Sequence, residues 1–232
     1  MKKAVFLDRD GSTNHPTPQG EDLICLSRGQ KQSRKAVFLD RDGTLIQDRG
    51  YICSFPQVGF FTFAAAAVRA MNEAGYLVIV VSNQSAVARG ICSKREVDLL
   101  HRQLQNHFKK NGAAITAFYY CPFLVEGTIS RYRRDSKMRK PAPGMLLQAA
   151  HDFKLDLPSC FMIGDKTDDI LAGKASGCRT MLVRTGQGRS SEISFQSSHP
   201  RPDYIADDLL AASAVIATLA GLEKNQSISQ EK

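Results

Sequence analysis

Asp40-Arg-Asp-Gly-Thr44 places two carboxylates at positions i and i+2, directly after the apolar run Ala36 to Leu39. In extended backbone a period of two aims both to one side. Two like charges held that close are costly unless a cation or a shared proton lies with them. The pattern therefore points to a hard divalent cation such as Mg²⁺, with Asp165 as a further oxygen ligand. In that setting Asp40 is the candidate nucleophile toward phosphorus, and Asp42 the candidate acid that protonates the leaving oxygen and later activates water. Ser82 and Asn83 follow a second apolar run and are placed to bind a transferring phosphoryl group. Lys140, at the end of a basic stretch, would neutralise its charge. Gly43 lets the chain turn away beside the phosphate.

Short apolar runs alternate with helical stretches from Lys35 onward, the pattern of β-α-β units and a parallel sheet. Strands are expected at Ala36 to Leu39, Tyr76 to Val81, Ile115 to Tyr120, Cys160 to Ile163, Arg179 to Val183 and near Tyr204. Helices are expected over Phe63 to Ala74, from the Ser93-Lys-Arg-Glu96 capping box to Asn111-Gly112, from Pro141-Ala-Pro143 to Phe153, over Thr167 to Ser176, and over Asp207 to Leu222. Gln187 to Pro202, rich in Ser and Gly, reads as loop. Asp40, Asp42, Ser82 and Asp165 all fall where strands end, which in open parallel sheets is the ligand-binding edge.

In order along the chain, Asp40-x-Asp-Gly-Thr44, Ser82-Asn-Gln84, Lys140-Pro141 and Gly164-Asp-x-x-x-Asp169 resemble the four motifs of the haloacid dehalogenase (HAD) superfamily of phosphatases. Within that superfamily, Asp48-x-Gly-Tyr51, Ser82-Asn-Gln-Ser85 with Ala88-Arg-Gly90, Tyr119-Tyr-Cys-Pro122, Arg139-Lys-Pro-x-Pro-Gly-Met145 and Gly164-Asp-Lys166 resemble the heptose 1,7-bisphosphate 7-phosphatases. The histidinol-phosphate phosphatases are their near relatives. The resemblance implies a capless, Rossmann-like α/β domain with a parallel sheet flanked by helices. It carries the nucleophile to Asp40, the acid/base to Asp42, phosphoryl stabilisation to Ser82 and Lys140, and Mg²⁺ ligation to Asp40, the Asp42 carbonyl and Asp165. Substrate contacts fall on Asp48, Arg49, Gly50, Tyr51, Asn83, Gln84, Ser85, Arg139 and Lys166, with Arg139 suited to grip a second phosphate bidentately. The implied substrate is a phosphorylated sugar. A histidinol phosphate or a broad range of small phosphomonoesters is the alternative, with a polynucleotide 3′-phosphate, or a sugar phosphate bound without turnover, behind these.

Members of that family often carry a zinc-stabilised loop built from C-P-H and a later C-x-C. Here Phe123 follows Cys121-Pro122, and Ser136-Lys-Met138 stands where the second pair would be, so no structural zinc is expected. The same residues also have plainer readings. Ser82-Asn83 can cap a loop, and the first half of Arg131 to Lys140 can be a solvated face. Asp168 and Asp169 can serve as favourable charges in a helix's first turn, or Asp169, ahead of Asp168, can support the metal site. The five histidines form no spaced cluster and read as structural or surface residues, and Cys92 and Cys121 as packed thiols.

The 232 residues, 43% hydrophobic and 23% charged, fit one globular domain with a surplus and argue against a disordered or disulfide-framed chain. No apolar run approaches the roughly 20 residues a membrane span needs, and the N-terminal run is ended by Asp8, Arg9 and Asp10. A cytoplasmic monomer without membrane or nucleic-acid partner is the expectation. The surplus is a duplication: Lys3 to Gly11 recurs letter for letter as Lys35 to Gly43. No second Ser-Asn-Gln, Lys-Pro or Gly-Asp motif serves the first copy. Residues 1–34 are therefore expected to be an extension, loop or disordered, 35–222 the phosphatase domain, and 223–232 a polar tail. Only six basic and four acidic residues lie in 1–34, so +6 of the net +8 belongs to the rest. A small polyanionic substrate accounts for that charge.

Overall fold

The computed structural model describes residues 34–195 and 200–230. The duplicated segment and the expected extension lie outside the described residues, apart from Arg34. Six strands form one parallel sheet: β1 (Ala36–Leu39), β2 (Leu77–Asn83), β3 (Ala117–Cys121), β4 (Phe161–Gly164), β5 (Arg179–Val183) and β6 (Tyr204–Ala206). Their order is β3-β2-β1-β4-β5-β6, so the chain reverses direction across the sheet beside β1, the topology that leaves a ligand crevice at the carboxyl ends. The helices are α1 (Ala64–Glu73), α2 (Lys94–Lys110), α3 (Gly144–Phe153), α4 (Thr167–Ser176), α5 (Gly188–Ser194) and α6 (Leu209–Gln230). None is long and apolar enough to cross a membrane among the described residues.

The central strands are apolar until β2 reaches Ser82 and Asn83 at the crevice edge, because both faces are covered. Val37, Leu39, Val78, Val80 and Ile163 pack against buried residues of α1, α2 and α6 on one face. Ala36, Phe38, Ile79, Val81 and Met162 pack against Met145, Leu146 and Ala149 of α3 and Ala172 of α4 on the other. Leu39 pairs with Val80 of β2 and Ile163 of β4, and the Asp40 N–H continues the ladder to the Ile163 carbonyl at 2.9 Å. The next residue of each central strand thus arrives at the same edge.

Two segments differ from the sequence reading. Gln187 to Pro202 is not all loop, since α5 occupies Gly188–Ser194. Its Ser191 hydroxyl donates to the Asp165 carbonyl at 2.8 Å and its Glu192 takes a two-point contact from Arg184 at 2.7 and 2.8 Å. Both are contacts between elements, and they override the weak helix propensity of the Ser-rich run. The last helix continues to Gln230 instead of stopping at Leu222, because no Gly or Pro interrupts the residues that follow.

Candidate active site

β1 ends at Leu39, so Asp40 and Asp42 stand in the turn that follows it and not on a strand. The Arg41 carbonyl closes this turn by accepting from the Leu45 and Ile46 N–H groups, each at 3.0 Å. Gly43 has φ +94°, and a Cβ there would collide with the Asp165 carboxylate. The carboxylates of Asp40, Asp165 and Asp169 come together, all buried, with one oxygen of each within 4.8 Å of the others. Asp169 reaches this point from the first turn of α4, where it also accepts from the Lys166 N–H at 3.0 Å. Of its two readings from the sequence, a helix-end charge or a support of the metal site, its place among these carboxylates fits the second.

Lys140 enters from the opposite side, ahead of α3. Its ammonium lies 2.7 Å from Asp40 Oδ1 and 2.6 Å from Asp169 Oδ1, and donates to the Val81 carbonyl at 2.8 Å. Burial disfavours that ammonium, but Asp169 and Asp40 outweigh it and hold its pKa above the ordinary lysine value. Asp165 is pushed up to about 7 by burial and by the charges of Asp40 and Asp169, despite the Gln187 N–H at 2.8 Å. Asp169 is pushed up to about 6, by burial first.

Other expected residues divide into those facing the crevice and those supporting it. Asp40, Asp42, Ser82, Asn83, Lys140 and Lys166 line one crevice with Asp168 and Asp169. The Asn83 carboxamide, however, is used on the main chain of Lys140, accepting at 3.0 Å and donating at 2.9 Å. The Gln84 carboxamide donates to Ser82 Oγ at 2.8 Å and to Asp42 Oδ2 at 3.2 Å. Both amides position neighbours. Lys166 pairs with Asp48 at 3.2 Å, which ties the 48–51 loop to the crevice. Gly50 donates to Asp48 Oδ1 at 3.0 Å, Arg49 donates to Gln47, and Tyr51 is exposed. Ser85 opens the following turn by accepting from the Arg89 N–H at 3.0 Å. Arg139 donates to the Phe123 carbonyl at 3.3 Å and lines, with Asp168, a second hollow beside Lys140.

Arg41 and His101, which sequence spacing does not single out, meet behind the crevice, with Arg41 Nη1 3.2 Å from His101 Nε2. Arg41 is buried and gives its guanidinium to both Asp42 oxygens. Those contacts turn the Asp42 carboxylate out of the three-carboxylate cluster, so any part of Asp42 in holding a cation falls to its main-chain carbonyl. A signal for His101 existed: it lies on the apolar face of α2 with Val97, Leu104 and Phe108, where a histidine needs a partner.

The donor set suits Mg²⁺. Two of the three buried carboxylates, Asp40 and Asp169, share direct contact with one ammonium, that of Lys140, and every donor atom is a hard oxygen. Among the described residues this is the one group of three or more His, Cys, Asp or Glu side chains placed to share a cation. Cys121 lies beside Ser136, its thiol pushed up by burial.

A carboxylate turn after the first strand, a buried lysine facing it and a further carboxylate pair after the fourth define a HAD-type hydrolase. Residues 137–212 match the family described as HAD-hydrolase-like. The chain is 43% identical over 222 residues to the D-glycero-D-manno-heptose-1,7-bisphosphate 7-phosphatase of Thermosynechococcus vestitus, covering 94% of this chain and 96% of that one. It is 41% identical over 200 residues to the D-glycero-β-D-manno-heptose-1,7-bisphosphate 7-phosphatase of Pasteurella multocida, covering 86% and 91%. The crystal structure of D,D-heptose 1,7-bisphosphate phosphatase from B. bronchiseptica, complexed with magnesium and phosphate, superposes with a TM-score of 0.70 at 26% identity, covering 80% and 98%. The chain belongs to the heptose 1,7-bisphosphate 7-phosphatase family of HAD phosphatases.

Proposed function

We propose that this protein removes the 7-phosphate of D-glycero-D-manno-heptose 1,7-bisphosphate, leaving heptose 1-phosphate and inorganic phosphate, with Mg²⁺ held by Asp40, Asp165 and the Asp42 carbonyl. The observation that carries the reading is the buried Lys140–Asp40 contact at 2.7 Å beside Asp165 and Asp169, in a chain 43% identical to a protein of that name.

Asp40 attacks phosphorus with one carboxylate oxygen. The new Asp40–phosphorus bond forms as the bond to the sugar oxygen breaks, and Asp42 gives that oxygen its proton. Asp42 then takes a proton from a water that attacks the aspartyl-phosphate, which releases phosphate and restores Asp40. Lys140 and the Ser82 hydroxyl face the phosphoryl oxygens, and Mg²⁺ held by Asp40, Asp165 and the Asp42 carbonyl would supply neutralising charge. Arg139, Lys166 and the loop Asp48, Arg49, Gly50 and Tyr51 surround the rest of the sugar. The substrate class supports a cytoplasmic location.

Steady-state phosphate release with Mg²⁺, across α- and β-heptose 1,7-bisphosphate, histidinol phosphate and a 3′-phosphorylated oligonucleotide, tests the reading. The heptose bisphosphates should be preferred, phosphorus NMR should show the 1-phosphate retained, and Asp40→Asn should abolish turnover. Retention of the 7-phosphate, or turnover surviving in Asp40→Asn, defeats it.

A further inference from the structure

We propose that Arg41 is a positioning residue that aims the Asp42 carboxylate, and that His101 of α2 holds Arg41 in place to do so. The proposal deepens the reading of Asp42 as the proton donor and rests on it.

Arg41 stands between two crevice residues yet is 1% exposed, and it heads the largest fully buried side chains. Its guanidinium is used at three points. Nε lies 3.0 Å from Asp42 Oδ1 and 3.1 Å from Oδ2, and the ion pair to Oδ2 is 2.9 Å. The third point is Nη1, 3.2 Å from His101 Nε2. A guanidinium only donates, so Nε2 accepts and the imidazole is neutral with its proton on Nδ1. Burial, and then the Arg41 charge, holds His101 well below the usual imidazole range, which agrees with that state. The ring is fixed by stacking on Phe118 at 4.6 Å and by the edge of Tyr120 at 5.3 Å. His101 Nδ1 has no hydrogen-bond partner among the described residues, so the polar bond the ring makes is the one to Arg41.

A buried cation is expensive, and a neutral imidazole does nothing to offset its charge. What the arrangement supplies is direction. A lone carboxylate turns freely, whereas a planar fork fixes it. With Gln84 at 3.2 Å, Asp42 Oδ2 faces three donor atoms and Oδ1 only one. Oδ1 is thereby left as the oxygen that carries a proton to the substrate and takes one from water.

The experiment compares kcat/KM on two phosphomonoesters, heptose 1,7-bisphosphate, whose leaving alkoxide needs a proton, and p-nitrophenyl phosphate, whose leaving phenolate does not. Arg41→Met and Arg41→Lys should each lose about ten-fold or more on the sugar beyond any loss on the aryl ester, mostly in kcat. His101→Leu should show the same selective loss, and His101→Gln, which keeps an acceptor, should recover it. Equal losses on the two esters, or His101→Leu and His101→Gln behaving alike, overturn the proposal. The histidine pair decides it even if the arginine variants do not fold. Asp42→Asn measured alongside separates the two readings: an equal loss there removes Asp42 as the acid. A selective loss there with none in the Arg41 and His101 variants leaves Asp42 the acid and refutes the positioning role.

Discussion

The Asn83 carboxamide closes a two-point ring on the peptide of Lys140, accepting from its N–H at 3.0 Å and donating to its carbonyl at 2.9 Å. Asn83 is the last residue of β2, and Lys140 lies 57 positions further on, so this ring joins the end of the basic loop to the sheet. The Lys140 ammonium then spans Asp40 and Asp169. Its reach is therefore set by a neighbour whose carboxamide is used on the Lys140 main chain.

Asn83→Ala breaks both bonds and should lower kcat by roughly 10- to 100-fold with little change in KM, since each of these partly buried hydrogen bonds contributes about 0.5–1.5 kcal/mol and the loss falls on alignment. Asn83→Asp should be worse than Asn83→Ala, because it sets a carboxylate oxygen against the Lys140 carbonyl. Steady-state kinetics on the sugar bisphosphate checks this. An Asn83→Asp variant equal to wild type would show that Lys140 is held from elsewhere.

Magnesium and protons compete for the carboxylate cluster. Asp165 and Asp169 are pushed up to about 7 and about 6, above their unfolded values. In the metal-free protein the folded state thus holds extra protons between about pH 4 and pH 7, and stability falls as pH rises through that window. A bound cation removes the reason for those protons. Saturating Mg²⁺ should raise Tm more at pH 8 than at pH 5.5, and Asp165→Asn should stabilise the metal-free protein at pH 8 while abolishing most of the Mg²⁺ response. Differential scanning with and without EDTA decides it, and a Mg²⁺ shift independent of pH counts against the cluster as the metal site.

The basic loop is organised by rings and guanidinium groups. Arg134 lies 3.9 Å over the Phe123 ring, Arg131 lies 4.9 Å over Tyr132, and the two rings are 6.0 Å apart. Arg139 reaches the Phe123 carbonyl from the same loop. Each cation–π contact is worth about 0.5–1 kcal/mol at exposed positions. Phe123→Ala removes the ring on which Arg134 sits and shifts the carbonyl that holds Arg139, so it should raise KM for the bisphosphate several-fold with a smaller change in kcat. A zinc-selective chelator at saturating Mg²⁺ should leave both constants unchanged. Chelator sensitivity would mean that a metal, not this stack, orders the loop.

The parts of this molecule legible in its sequence are those written in local patterns. The buried strands are short apolar runs, α2 has its Ser93 cap, and Asp40, Ser82, Lys140 and Asp165 each stand at or after a strand's end or ahead of a helix in a recognisable order. What was not legible depends on contacts between distant elements. Nothing near Ser190 or Ser191 announces α5, because the helix is held by Asp165 and Arg184. Asn83 and Gln84 read as ligand contacts, and spacing alone does not show that their amides also bond to the Lys140 peptide and to Asp42. Arg41 looks like a solvated residue between two aspartates, and only the position of α2 reveals that it is buried against His101.

Gly43 and Gly177 provide a matched pair. Both have positive φ, +94° and +83°, but a Cβ on Gly43 would collide with the Asp165 carboxylate while one on Gly177 would meet nothing within 4 Å. Gly177→Ala should cost only the left-handed backbone strain of about 1 kcal/mol and leave kinetics unchanged. Gly43→Ala pays the same strain and must also displace Asp165, which moves a carboxylate away from Asp40. It should therefore lose clearly more stability than Gly177→Ala, and it should lose the Mg²⁺-induced rise in Tm, which Gly177→Ala should keep. Urea denaturation of the two variants, each with and without Mg²⁺, measures both differences at once. Equal destabilisation with the Mg²⁺ response intact in Gly43→Ala would mean that the turn can move aside without disturbing Asp165, and that the close approach of Gly43 to that carboxylate is not what sets the cluster.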